Sequence, residues 1–255
     1  MMQLRSLLFV AYLYGMMALM GTVFIIALVL PRFVIMRGIR IYAKSLRWGM
    51  KVICGIETEF RGLENIPDGP FMYAGKHQCM FDIFVPFITV RDSLIIMKRE
   101  LLWYPFLGWY ALKSDMIPID RAGSTKTLRS MVKQAKAKVP TGRGRQVVIF
   151  PEGTRSAPGA PPHYHAAGVV ALYKALDVPV LPVATNAGLC WPAHGTLRRP
   201  GRIVYEFLPV IPAGLDRKTL MKRLESDIET ATDRLLTEGL AIQGRTRLDE
   251  DRQPT

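Results

Sequence analysis

Hydrophobic and polar positions divide the chain into three textures. From Leu7 to Leu30 no residue is charged. As a helix this run would extend about 36 Å, against a hydrocarbon core of about 30 Å. Pro31-Arg32-Phe33 lacks the small residues of a signal-cleavage site, so a retained membrane segment is expected. The second texture reaches Lys51. Arg32, Arg37, Arg40, Lys44, Arg47 and Lys51 interleave with Ile35, Ile39, Ile41, Tyr42 and Leu46, and no acid occurs before Glu57. This pattern predicts an amphipathic helix in the headgroup layer, apolar side in and cations towards lipid phosphates. Only Arg5 precedes the apolar run, so the charge asymmetry predicts a cytoplasmic position for the bulk of the chain.

From residue 55 onward short apolar runs alternate with helical periodicity. Residues 71–74, 93–97, 146–150, 178–184 and 202–207 read as strands. Residues 124–138, 166–175 and 215–240 read as helices, with Leu128, Met131, Val132 and Ala135 at helical spacing in the first. Such alternation implies an α/β domain. The expected organisation is a membrane helix plus basic amphipathic helix over 1–54, one α/β domain over 55–242, and a polar, disordered tail over 243–255. Residues 101–112 fit no texture. They are nearly all apolar, with Trp103, Tyr104, Phe106, Trp109 and Tyr110, and suit core packing and lipid contact equally.

Composition narrows the partners. The net charge of +13 calls for something anionic: nucleic acid, an anionic membrane or a phosphorylated substrate. Glycine-aromatic motifs and helical DNA-reading signatures are lacking, so no nucleic-acid partner is expected. Cys54, Cys79 and Cys190 are too few and too scattered for a disulfide framework or a zinc site, which favours a reducing compartment.

Three clusters carry candidate chemistry. His77 and Asp82 stand five positions apart after a strand. A neutral imidazole takes up a proton near neutral pH, and a carboxylate on its other nitrogen fixes the tautomer. The spacing alone favours a buried, hydrogen-bonded histidine near a capping aspartate. Cys79 reads as a small packing residue. Ile119-Asp120-Arg121 adds a guanidinium and a carboxylate, and alone would be a surface ion pair. Phe150-Pro151-Glu152-Gly153-Thr154-Arg155-Ser156 follows another strand, at the end of which α/β sheets bind ligands. Gly153 lets the backbone approach a ligand. Thr154 offers a hydroxyl and an N–H, and Arg155 a fork matched to phosphate oxygens. Glu152 could accept from a glycerol hydroxyl or hold Arg155. In this order the three point to acyl transfer onto a hydroxyl near a phosphate.

Together they closely resemble the glycerolipid acyltransferase family that includes 1-acylglycerol-3-phosphate acyltransferases. Its His-x4-Asp block is matched by His77 and Asp82, its apolar-Asp-Arg block by Ile119, Asp120 and Arg121. Its Phe-Pro-Glu-Gly-Thr-Arg-Ser block is matched at every position, and its proline-containing apolar block by Val178-Pro179-Val180-Leu181-Pro182-Val183-Ala184. The resemblance implies a mixed central sheet flanked by helices, of the glycerol-3-phosphate acyltransferase type. It implies His77 and Asp82 as the catalytic dyad, and Arg121, Glu152, Gly153, Thr154 and Arg155 around the acceptor phosphate. It also implies acyl-CoA or acyl-acyl carrier protein as co-substrate, with no cofactor and no metal. Bacterial members make phosphatidate from lysophosphatidate, so the expected location is the cytoplasmic face of the inner membrane, against anionic lipids. Lys76-His77-Gln78-Cys79 departs from the commoner Asn-His-x-Ser, and His165 stands where the family often has another basic residue before a glycine. Lys76, Asp120 and His165 are therefore possible acceptor contacts. Acylation of another lyso-lipid, such as a lyso-ornithine lipid, and lipid binding without catalysis are the alternatives.

Overall fold

The computed structural model describes residues 1–120, 125–140 and 144–248. Its strands are β1 Ile56–Arg61, β2 Met72–Gly75, β3 Ser93–Lys98, β4 Ile117–Ile119, β5 Gln146–Ile149, β6 Val180–Thr185 and β7 Gly201–Phe207. They form one sheet in the order β1-β7-β6-β2-β5-β3-β4. Every neighbouring pair is parallel except β6 with β7. The expected mixed sheet is thus present. The helices are α1 Met2–Val23, α2 Arg32–Gly49, α3 Val85–Thr89, α4 Leu107–Lys113, α5 Thr125–Lys138, α6 Ala166–Leu176 and α7 Arg217–Ile242.

The central strands β2, β5 and β6 are buried along their whole length. They read as continuous apolar runs because helices cover both of their faces. One apolar layer joins Met131, Val169, Leu172, Leu224 and Ile228 of α5, α6 and α7 to the sheet. The other joins Phe9, Leu13 and Leu46 of α1 and α2 with Phe81 and Val85. Asp216 caps α7, accepting from Lys218 N at 2.8 Å and Thr219 N at 3.1 Å.

Among the described residues α1 alone is long and apolar enough to cross a membrane. One side of it is packed on the protein. Tyr12 donates to Ser45 O at 3.1 Å, and Tyr42 of α2 donates to Leu13 O at 3.0 Å. Phe9 meets Trp191 edge to face at 5.3 Å. Leu4, Leu7, Leu8, Leu19 and Val23 stay exposed on the other side.

The structure corrects the expectation for α2. Its apolar face, with Ile35, Met36, Tyr42 and Leu46, is buried in the protein. Four of the six cations assigned to lipid phosphates hold the domain instead. Arg32 pairs with Asp92, and Arg40 Nε donates to Phe87 O at 2.8 Å. Arg47 donates to Thr58 O at 2.9 Å and lies 4.9 Å over the Phe60 ring. Lys51 lies 3.4 Å from Glu57. Arg37 and Lys44 are exposed.

Residues 101–112 are partly turned inward and partly exposed. Leu101, Phe106, Leu107 and Tyr110 line an internal cavity, while Trp103, Tyr104, Trp109 and Leu112 are exposed. The disordered tail expected from 243 is folded back as far as Leu248. Gln243 donates to Pro200 O at 3.1 Å, and Arg245 donates to Leu248 O at 3.0 Å. Residues 249–255 lie outside the described residues.

Candidate active site

β2 ends at Gly75, and the chain delivers Lys76 and His77 before a short 3-10 turn, Met80–Ile83. That turn carries Asp82 back onto the histidine. His77 Nδ1 lies 2.9 Å from Asp82 Oδ2. The same oxygen accepts from Gln78 N at 2.6 Å and Cys79 N at 2.8 Å. Oδ1 accepts from the Tyr205 hydroxyl at 2.7 Å and from Cys79 Sγ at 3.2 Å. Asp82 is 1% exposed. An ionised carboxylate only accepts, so Nδ1 is the donor in this pair, and in the neutral tautomer that this selects the lone pair sits on Nε2. Burial and the Asp82 charge push the Cys79 thiol well above its ordinary range. Cys79 is therefore a neutral thiol that caps the turn, not a nucleophile.

The loop after β5 is fastened to the same histidine. The Phe150 ring stacks on the imidazole, with centroids 4.4 Å apart. Ser156 donates to His77 O from its N–H at 2.8 Å and its hydroxyl at 3.2 Å. Gly153 has φ +65°, and a Cβ there would come within 3.0 Å of the His165 ring. Glycine meets both demands without strain. His165 N donates to Pro151 O at 2.8 Å and so closes the loop, while its side chain is exposed. Thr154 and Arg155 are exposed. Arg155 shares with His77 and Phe150 the lining of an apolar cavity of about 390 Å³. The cavity runs between α1, α2, α4 and the sheet, past Met20, Gly38, Met97 and Tyr110.

Two residues expected to face the acceptor are turned away from it. Lys76 is 4% exposed and reaches both Glu229 oxygens, at 2.8 and 2.9 Å, and Glu152 at 3.3 Å. Tyr164 donates to the same Glu229 at 2.7 Å. Glu152, 3% exposed, is thus a partner of Lys76 beneath the loop. One buried ammonium is shared between two carboxylates. Asp120 is exposed at the end of β4, three strand spacings from β2, roughly 14 Å along the sheet. Arg121 lies outside the described residues.

Tyr205, Glu229 and Tyr164 escape a reading of the sequence. Tyr205 is 123 positions from Asp82 and Glu229 153 positions from Lys76. Neither sits in a motif; β7 brings Tyr205 to the site and α7 brings Glu229.

A mixed α/β sheet, a histidine–carboxylate pair and an apolar cavity that the histidine lines suit a transferase of the acyltransferase class. The acyltransferase family model matches residues 57–186, and the chain belongs to that family. It is 33% identical to the 1-acyl-sn-glycerol-3-phosphate acyltransferase of Pseudomonas aeruginosa, over 95% of this chain and 94% of that one. It is 26% identical to the 1-acyl-sn-glycerol-3-phosphate acyltransferase of Saccharomyces cerevisiae, over 73% of this chain and 62% of that one. The fold matches the crystal structure of the 1-acyl-sn-glycerophosphate acyltransferase PlsC from Thermotoga maritima. The TM-score is 0.75 at 22% identity, over 92% of this chain and 99% of that one.

Proposed function

We propose that the protein transfers an acyl group from a thioester, acyl-CoA or acyl-acyl carrier protein, to the free hydroxyl of 1-acylglycerol-3-phosphate, giving phosphatidate. One observation carries this reading. His77 is held by Asp82 through Nδ1 on the wall of an apolar cavity that Arg155 also lines. The names of the Pseudomonas and yeast relatives support the same acceptor.

In this mechanism His77 Nε2 takes the proton of the acceptor hydroxyl as its oxygen attacks the thioester carbonyl. The new C–O bond forms and the C–S bond breaks. The departing thiolate receives the proton from the imidazolium, which returns to its starting state. Asp82 holds the tautomer and stabilises the transient cation. Thr154 and Arg155 bind the acceptor phosphate beside the loop backbone. The cavity takes an acyl chain, whose methylenes gain about 0.8 kcal/mol each on burial.

The membrane is the source of the acceptor. The exposed side of α1 is apolar, yet the helix is tied to the domain from Ser6 to Gly21. A helix held along its length against a globular domain suits insertion into one leaflet better than crossing. The basic residues after α1 favour the cytoplasmic face of the inner membrane.

The test is to offer purified protein lysophosphatidate and competing lyso-lipids, with acyl-CoA or acyl-acyl carrier protein, and to identify products by mass. Phosphatidate is expected as the main product. Acylation of a different lyso-lipid in preference, or of none, overturns the proposal.

A further inference from the structure

Arg198 lies in the loop between β6 and β7 and is 6% exposed. The loop runs against the candidate site. Gly188 N donates to Gln78 Oε1 at 3.0 Å, and a Cβ on Gly188 would come within 2.6 Å of Pro158. Ser6 of α1 holds the backbone of Arg198, accepting from its N–H at 2.8 Å. The guanidinium carbon stands 4.4 Å over the ring of the buried Trp191. Nη1 donates to the carbonyls of Gly195 at 3.2 Å and Leu197 at 2.9 Å. Nε is buried without a partner.

No carboxylate pairs with Arg198 among the described residues. Arg40 and Arg47 are also held by carbonyls but are only partly buried, whereas the buried Arg145 has a carboxylate. Arg32 and Arg145 share Asp92, and Arg61 holds Glu59 and Glu238. Burial drives the pKa of Arg198 down to about 10, and the charge of Arg155 acts in the same direction. The group is still cationic at neutral pH. A buried cation without a counter-ion is costly. Stacking on Trp191 offsets part of the cost but supplies no negative charge.

We propose that Arg198 is a second phosphate-binding guanidinium, which joins Arg155 in holding the phosphate monoester of the acceptor. The proposal rests on the acyltransferase reading given above. A phosphate monoester carries close to two negative charges at neutral pH, so two guanidiniums match it. A phosphodiester headgroup carries one and leaves one cation unmatched. Arg198 thereby selects lysophosphatidate over lyso-lipids with larger headgroups. The thioester donor also carries phosphate, and the test separates the two sources.

Full-length wild type, Arg198→Met and Arg198→Lys are compared in steady-state kinetics, each substrate being varied in turn. The melting temperature is followed as inorganic phosphate is added. Arg198→Met is expected to raise the KM for lysophosphatidate roughly ten-fold or more, the scale of one lost charge-assisted hydrogen bond, with kcat within about three-fold. The preference for lysophosphatidate over lysophosphatidylglycerol should narrow. Arg198→Lys keeps the charge but not the fork, so it should fall between. Phosphate should raise the melting temperature of wild type more than that of Arg198→Lys. An unchanged acceptor KM in both variants overturns the proposal, as does a rise confined to the donor KM. If Arg198→Met does not fold and Arg198→Lys responds to phosphate as wild type does, Arg198 is a packing residue and the proposal fails. Wild type that binds phosphate through Arg198 but acylates no lyso-lipid would refute the acyltransferase function and leave the phosphate site standing.

Discussion

The hydroxyl of Tyr205 donates to Asp82 Oδ1 at 2.7 Å, on the carboxylate oxygen opposite the one that faces His77. Tyr205 comes from β7, with β6 lying between it and the strand that leads into His77. Burial and the Asp82 charge push the phenol well above its ordinary range, so it is always a donor. Tyr205→Phe removes one support of a buried carboxylate. A loss of roughly 1–3 kcal/mol in stability is expected. If Tyr205 also sets the aim of the dyad, kcat falls about ten-fold while both KM values hold. Thermal melts and initial rates decide this, and an unchanged kcat would limit Tyr205 to a structural part.

His77→Ala and Asp82→Asn should part company in stability. His77→Ala removes the proposed base and is expected to lower turnover roughly 10²–10⁴-fold, with little change in melting temperature. Asp82 accepts two backbone N–H groups of its own turn besides the imidazole. An asparagine amide cannot accept on both sides. Asp82→Asn should therefore lose activity and also melt at a lower temperature. Equal melting temperatures for the two variants would contradict the capping role of Asp82.

The residues of this dyad were legible in the sequence because they lie within one turn, and the loop Phe150 to Ser156 because it is contiguous. The supports were not. Lys76 reads as a free cation beside the base until α7 brings Glu229 to it. The same divide runs through the fold. β2, β5 and β6 are buried on both faces, so their apolar runs announce them. β1 is an edge strand whose Glu57, Glu59 and Arg61 obscure the pattern, and β4 has three residues with Pro118 in the middle. The basic face of α2 has the composition of a headgroup helix, but sequence cannot tell a cation aimed at lipid from one aimed at a carbonyl of the same chain.

Asp92 ties α2 to the sheet and sets a pH dependence. Burial alone would raise its pKa. The hydrogen bond from Arg32 and the charge of Arg145 outweigh burial, and the carboxyl is held below its ordinary value. A depressed folded pKa means the stabilisation is complete above the unfolded value, near 3.9, and is lost as pH falls through the folded one. Asp92→Asn also leaves Arg145, 1% exposed, without its carboxylate. A cost of about 2–4 kcal/mol is expected at neutral pH. The gap between wild-type and variant stability should shrink as pH falls below about 4. Denaturant unfolding at pH 7 and pH 3 measures it, and a gap that stays constant would exclude the Asp92 carboxylate as the source.

Lys76 is the buried keystone between Glu152 and Glu229. Lys76→Met leaves Glu152, 3% exposed, facing a second carboxylate with no cation between them. A loss of about 3–5 kcal/mol is expected. Adding Glu229→Gln removes one of the opposed charges, so the double variant should recover part of the loss. The cycle of four proteins, followed by chemical denaturation, gives the coupling directly. Additive losses would mean that the two side chains do not interact in solution as their 2.8 Å contact implies.

Acyl-chain preference should follow the cavity. Ala111, on α4, lines it and is 7% exposed. Phenylalanine at this position is expected to fill part of the cavity, and a melting curve of the variant shows whether the fold tolerates it. Displacing two methylenes of a bound chain forfeits about 1.6 kcal/mol, or roughly a ten-fold change in selectivity. Ala111→Phe is therefore expected to lower kcat/KM for long-chain thioesters relative to short ones by at least about that factor. If the ratio moves only when the acceptor's chain is varied, the cavity holds the acceptor chain. If it moves with neither, the cavity is not where acyl chains bind.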